Sequence, residues 1–135
     1  MISFFLPGIP RPTQTGSVIR PGGGKRAFPV YRNTEWASYC RLMAVNYMRA
    51  AKRNHLTGPV ELCLTFYLPR PKKPKCPWPV TRPDLGNLEK KLSDAWNGIL
   101  WVDDSQIVRM TLEKRYATAC TPVGLKVYVE ETDVP

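Results

Sequence analysis

The chain has 135 residues, with 20 Lys and Arg against 11 Asp and Glu, so its formal net charge at pH 7 is +9. A chain of this length is expected to form one domain whose core needs no disulfides or metal ions. The charge surplus favours a polyanionic partner, above all nucleic acid, and an ordinary small basic protein is the alternative. The apolar fraction of 43% argues against wholesale disorder.

The sequence gives little indication of a membrane span, an export signal, a disulfide framework or a zinc site. The chain has no run of about 18 apolar residues, and prolines interrupt residues 1–12, so neither a membrane span nor an export signal is predicted. We therefore expect a cytoplasmic, reducing setting. The four cysteines are widely spaced and His55 is the one histidine, which argues against zinc sites and disulfide frameworks. Any catalysis is then expected to rest on carboxylates and lysines.

The predicted elements begin with a short strand within residues 1–12. Residues 11–33 are rich in glycine, proline and cations, and this composition predicts a long exposed loop or an irregular hairpin. A helix is predicted over residues 34–54, because apolar side chains recur there at three- and four-residue steps and are expected to face the core. This stripe consists of Trp36, Cys40, Met43 and Tyr47.

The second half of the chain begins with a strand at residues 59–69, predicted from strict alternation of apolar side chains. Residues 69–83 contain six prolines and are predicted to project as a stiff basic loop, since proline fixes φ and lacks a backbone donor. A second helix is predicted over residues 85–97, stopping at Gly98.

A short strand at residues 98–102 and two longer strands, expected to form a hairpin around residues 118–122, complete the predicted fold. The element order predicts an α+β fold with a mixed, mostly antiparallel sheet and two main helices. We expect a single domain that spans residues 1–135.

Acidic residues are concentrated near the predicted second helix. Asp84 stands at its entrance, and a pair of aspartates follows the short strand after it, so the two sites meet if that strand returns along the helix. Neighbouring carboxylates repel one another unless a cation such as Mg²⁺ neutralises them. The alternative is that Asp84 is a helix N-cap and the pair lies in an exposed turn. The five acids of this region are Asp84, Glu89, Asp94, Asp103 and Asp104.

Lys90 and Asp94 stand four residues apart on the polar side of the same predicted helix. One interpretation is a solvated ion pair that contributes a few tenths of a kcal/mol. The other is that Lys90 points at a phosphate near a metal ion, oriented by Asp94, and stabilises developing charge.

The stretch RPDLGNLEKKLSDAWNGILWVDDSQIVRMTLEKRYA, residues 82–117, resembles the signature region of the RusA-type Holliday junction resolvases, found largely in bacteriophages and prophages. The family pattern is roughly PDxDNLxKxxxDAxNGxxxxDDxQI, followed by a strand with basic residues. The resemblance implies a homodimeric α+β endonuclease that acts in bacterial DNA recombination and repair. Such enzymes cut four-way DNA junctions by paired symmetric nicks, need Mg²⁺ or Mn²⁺, and have no membrane partner.

The resemblance also implies roles for individual residues. Asn87 and Asp94 match the supporting polar positions of the family. The aspartates at the catalytic positions are the implied metal ligands. The catalytic positions of the family fall on Asp84, Lys90, Asp103 and Asp104.

Gly86 is the point at which the chain departs from the family pattern, which has a second metal-site aspartate there. Loss of a carboxylate is expected to weaken metal binding and to slow cleavage by several powers of ten. Our hypothesis is a chain that folds and binds branched DNA but cleaves it poorly. The alternative is that a water molecule or Asp103 completes the site.

DNA contacts are expected from the basic loops, which would neutralise phosphates without reading sequence. Trp78 either stacks on an exposed base or packs against its own domain. A non-catalytic branched-DNA-binding protein of prophage origin is the main rival hypothesis, and an RNA-binding protein is a weaker one. The expected DNA-binding residues are Lys25, Arg26, Arg70, Lys72, Lys73, Lys75, Arg82 and Lys91.

Overall fold

The computed structural model describes residues 1–12 and 33–133. The predicted loop at residues 11–33, with Lys25 and Arg26, falls almost entirely outside these ranges. A one-turn 3-10 helix, Asp104–Gln106, precedes the third strand. The elements in chain order are β1 (Ile2–Pro7), α1 (Asn33–Ala50), β2 (Val60–Leu68), α2 (Leu85–Glu89), α3 (Leu92–Ala95), β3 (Ile107–Tyr116) and β4 (Gly124–Glu131).

The four strands form one mixed sheet in the order β1-β4-β2-β3. β4 pairs antiparallel with both β1 and β2, whereas β3 pairs parallel with β2. The predicted α+β class and the mixed, mostly antiparallel sheet are therefore confirmed. None of the helices in the described ranges is long and apolar enough to cross a membrane.

The predicted hairpin between the last two strands is wrong, because β2 lies between β3 and β4. Alternate side chains along the whole length of β2 are buried, and its two edges pair with different strands. Alternation within a strand reports which face is buried but does not identify the neighbouring strand. The chain from β3 to β4 instead passes the end of β2, where the Ala117 N–H donates to the Leu68 carbonyl at 2.8 Å.

The prediction that the apolar stripe of α1 faces the core is confirmed. Trp36 and Cys40 are buried, and Met43 and Tyr47 pack against the core from partly exposed positions. Burial raises the pKa of the Cys40 thiol to about 12, so this side chain stays neutral and acts as a small hydrophobe. The helix ends at Ala50, four residues earlier than predicted.

The predicted second helix is wrong as a single element, since α2 and α3 are separate and Lys91 between them has φ −112° and ψ 0°. The predicted strand at residues 98–102 is also wrong, because this segment forms turns and Trp101 makes only isolated bridges. Leu88 and Trp96 are nevertheless both buried. The backbone of Lys91 lies outside the α-helical region, which interrupts the helix and divides the predicted element in two.

Candidate functional site

Asp84 precedes α2 in an extended conformation, with φ −87° and ψ 155°. Although it occupies the N-cap position, its side chain makes no capping hydrogen bond to the helix backbone. Its Oδ1 instead accepts a hydrogen bond of 2.8 Å from the Asn87 side-chain amide. An ionised carboxylate accepts several hydrogen bonds, so most of the acceptor capacity of this exposed side chain is free for a ligand.

A small pocket of about 340 Å³ surrounds this carboxylate. Arg82 and Lys114 contribute positive charge to its lining beside Asp84 and Asn87. The Lys114 ammonium donates hydrogen bonds of 2.8 Å each to the carbonyls of Thr81 and Pro83. The lysine thereby ties the end of the proline-rich loop to β3 and holds the chain that leads into Asp84.

Lys114 was missed by the sequence interpretation, although a signal for it exists. In β3 it pairs with Phe66 of β2 and lies on the side of the sheet that carries the buried β2 residues. When a charged residue occupies a strand position that alternation assigns to the core, it indicates polar partners nearby, because burial of a charge requires them.

Gly86 lies in α2, is exposed, and has no conformational need to be glycine. Its φ is not in the left-handed region, whereas Gly98 has φ +79°. A Cβ atom placed on Gly86 would meet no heavy atom within 4 Å. The fold therefore accepts a side chain at the position where the family pattern has an aspartate.

Asp104 begins the 3-10 helix and lies within reach of Asn97, whose amide nitrogen is 3.4 Å from Oδ1 of Asp104. The Asn97 amide oxygen accepts a hydrogen bond of 2.8 Å from the buried Trp101 indole. Because an indole N–H only donates, Trp101 orients the Asn97 amide so that its NH₂ group faces Asp104. Arg41 of α1 supports the same segment by donating to the Ala95 and Asn97 carbonyls at 2.7 and 3.2 Å.

Asp103 is the N-cap of the 3-10 helix and takes part in a capping box with Gln106. It accepts a hydrogen bond of 3.0 Å from the Ser105 N–H, and hydrogen bonds from Ser105 lower the pKa of this exposed carboxyl. The Gln106 amide also donates to the Leu56 and Gly58 carbonyls at 3.1 and 2.8 Å. Gln106 was overlooked, although Asp-x-x-Gln is itself a capping-box signal.

Lys90 and Lys91 are exposed and lie at the junction of α2 and α3. Because the helix is broken between them, Lys90 and Asp94 do not lie one helical turn apart as predicted. Within the described residues, no salt bridge joins Lys90 to Asp94. Glu89 is engaged elsewhere, since its carboxylate accepts a hydrogen bond from the Ser93 hydroxyl.

The predicted metal ligands do not assemble into a three-carboxylate site. In residues 1–12 and 33–133, no group of three or more His, Cys, Asp or Glu side chains is placed to hold a metal ion. Asp84 precedes α2, whereas Asp104 contacts Asn97, which follows α3. Mg²⁺ usually needs one or two protein carboxylates, and Asp84 is an exposed carboxylate two residues before Gly86.

The proline-rich loop, residues 69–83, presents a strongly basic surface. It contains no acidic residue, and all of its cations are exposed. The buried Pro79 anchors the loop to the domain. The cations that it presents are Arg70, Lys72, Lys73, Lys75 and Arg82.

Two comparisons with known proteins bear on the site. The chain matches the family described as "Endodeoxyribonuclease RusA" over residues 7–130. It is also 35% identical over 74 residues to "Uncharacterized protein YqaN" of Bacillus subtilis (strain 168), an alignment that covers 46% of this chain and 52% of that relative. The chain thus spans about half the length of this curated relative.

Proposed function

Because this chain belongs to the endodeoxyribonuclease RusA family, we propose that it is a structure-selective endonuclease of four-way (Holliday) DNA junctions in recombination and repair. Its cleavage is slow, since Gly86 replaces a carboxylate of the metal site. The observation that carries the proposal is the pocket around Asp84, where a carboxylate with free acceptor capacity lies beside Arg82 and Lys114.

The pocket suits a phosphodiester for electrostatic reasons. Arg82 and Lys114 attract the phosphate and offset the negative charge of Asp84. Mg²⁺ or Mn²⁺ is the proposed cofactor, and such an ion supplies an activated water and charge neutralisation in phosphodiester cleavage. Because the described residues lack a three-carboxylate group, we expect the ion to bind weakly through Asp84. We propose that cleavage of the bound DNA junction is assisted by Asp103, Asp104 and Lys90.

A homodimer is part of the proposal. Paired, symmetric nicks on a junction with two-fold symmetry require two equivalent sites, which a symmetric pair of chains provides. The molar mass of the protein in solution, measured by light scattering with and without junction DNA, tests this element separately from cleavage.

Non-catalytic binding of branched DNA is the second candidate function. The observation that favours it is Gly86 itself, which leaves the site without one carboxylate while the basic loop stays intact. Both candidates predict selective junction binding, and only the first predicts nicking.

Cleavage of a synthetic junction in Mn²⁺ separates the two functions. We expect slow nicking that disappears in chelator. Asp84→Asn or Asp104→Asn should lower the rate by a further factor of about 10²–10³, the usual loss for one charged group acting at a transition state. Glu35→Gln, which removes an exposed carboxylate in the first turn of α1, is the matched control and should nick at the parental rate. Equal rates in all variants, or equal affinity for junction and linear duplex, would contradict the proposal.

The basic loop is expected to set the salt dependence of DNA binding. Replacing Lys72, Lys73 and Lys75 with glutamine should reduce the slope of log K against log[salt] by about 0.9 per lost phosphate contact, hence by roughly 2–3 in total. The affinity should fall for junction and duplex alike, because these contacts carry no sequence information.

A control for this salt experiment changes the net charge equally. This control replaces three exposed cations outside the loop, Arg49, Lys52 and Lys126, with glutamine. It should leave the slope of log K against log[salt] nearly unchanged. If both triple variants change the slope equally, the loop is not the contact surface.

A further inference from the structure

A groove of about 730 Å³ lies between the proline-rich loop and the ends of β2 and β3. We propose that this groove binds one unpaired nucleotide of DNA, with its base on Trp78 and its phosphate on Arg70. That the nucleotide belongs to DNA rests on the proposed function. The groove itself is a subsite separate from the Asp84 pocket. The volume falls within the range of about 300–1,000 Å³ typical of ligand pockets.

The aromatic side of the groove is open to solvent. Trp78 is 48% exposed, although burial of an indole is normally favourable. The guanidinium of Arg115 covers part of the ring at 5.0 Å from its centroid, and Glu113 holds that guanidinium through two hydrogen bonds of 2.9 and 3.1 Å. The indole is therefore held in place while leaving ring surface free, which is the requirement for a stacking platform.

The charge of the groove selects for an anionic ligand. Arg70 and Arg115 line it, and within the described residues no acidic side chain does. Because Glu113 offsets the charge of Arg115, Arg70 is the main attraction for a phosphate. The hydroxyl groups of Tyr67, Thr118 and Thr121 supply hydrogen-bonding partners around the same space. An aromatic face next to arginine and hydroxyl groups matches a nucleotide, which has a flat base and a charged phosphate. The bases of an intact duplex are already stacked, so the ligand is an unpaired base.

The position of the groove relates it to the Asp84 pocket. Lys114 lines that pocket and Arg115 lines the groove, because successive side chains of a strand point to opposite faces of the sheet. β3 is an edge strand. A DNA strand that passes around this edge can place one nucleotide in the groove and its backbone near Asp84.

The four tryptophans allow a direct test, because only one of them is accessible. Trp36, Trp96 and Trp101 are 8%, 0% and 0% exposed. A thymidylate dodecamer should quench Trp78 fluorescence saturably. Affinities for fluorescein-labelled strands are then measured by anisotropy for the dodecamer and for an abasic strand with the same phosphates.

A two-by-two comparison isolates the contact between base and indole. We expect the parent to bind the abasic strand roughly ten-fold more weakly than the dodecamer, the typical loss for one stacked base. Trp78→Ala should bind the dodecamer about ten-fold more weakly and the abasic strand unchanged, while Trp78→Phe, which keeps a ring, should retain most of the affinity.

Three results would overturn the proposal. The first is that the parent binds the dodecamer and the abasic strand with equal affinity. The second is that Trp78→Ala loses the same affinity for both strands. The third is that a proline-rich peptide quenches Trp78 fluorescence and the dodecamer does not. Junction preference and cleavage are measured independently. A protein without junction preference refutes the proposed function while the two-by-two comparison still reports on the groove. A junction-selective protein without base dependence refutes only the groove.

Discussion

Gly86→Asp is expected to raise metal-dependent junction cleavage by about 10²–10³, the range associated with a single charged group that stabilises a transition state. The added carboxylate stands two residues from Asp84, in the first turn of α2. Two neighbouring carboxylates bind Mg²⁺ or Mn²⁺ more tightly than one. The space at Gly86 is open and its φ is not in the left-handed region, so the change should not strain the fold.

The measurement is the single-turnover cleavage rate of a synthetic junction at varied Mn²⁺ concentration. Gly86→Asn is the matched control, because it has nearly the same shape without the charge, and Gly86→Ala controls for the loss of glycine flexibility in a helix. Only the aspartate variant should gain activity and lower the Mn²⁺ concentration needed for half-maximal rate. If all three variants cleave at the parental rate, glycine is not the cause of slow cleavage. Thermal unfolding of each variant checks that the fold is intact.

Trp96→Ala is expected to lower the free energy of unfolding by about 3–5 kcal/mol, as is usual for removal of a buried aromatic side chain. Trp96 is fully buried, and its indole N–H donates to the Cys40 carbonyl at 3.1 Å, which joins α3 to α1. It also lies edge-to-face against Trp101 and Phe4, with centroid distances of 6.2 and 6.4 Å. The variant loses these contacts, including the hydrogen bond to the Cys40 carbonyl, and leaves a cavity in the core.

Denaturant unfolding followed by circular dichroism gives this free energy. Trp78→Ala is the matched control, since the same substitution at an exposed site should cost no more than about 1 kcal/mol. Because total stabilities are about 5–15 kcal/mol, the alanine variant at Trp96 can fail to fold, and Trp96→Phe then provides a milder test with a smaller loss. Similar losses in Trp78→Ala and Trp96→Ala would contradict the assignment of Trp96 to the core.

The structure connects this buried region to the candidate site. Trp96 is followed by Asn97, whose amide faces Asp104 and is oriented by Trp101. Lys114 provides a second connection, from β3 to the carbonyls that lead into Asp84. Both acidic positions of the proposed site thus depend on contacts with other parts of the fold. Variants of the buried Trp101 are therefore expected to slow cleavage, although this side chain cannot reach DNA.

Local patterns in the sequence predicted β1, α1 and β2, because the alternation of β2 and the stripe of α1 each report one buried face over a short stretch of chain. The motif around Asp84 and Gly86 likewise indicated the family, since it depends on residue types at set spacings. The irregular, exposed form of residues 69–83 followed from their proline content alone.

Features that depend on distant contacts were not accessible in this way. The position of β2 between β3 and β4 depends on strand pairing between distant parts of the chain. The break at Lys91 between α2 and α3 is likewise not marked by the local apolar pattern, which continues through it. The roles of Lys114 and Gln106 rest on carbonyls at least 31 residues away. Hydrogen bonds of this kind exist only once the chain has folded, because nothing in the local sequence brings such partners together.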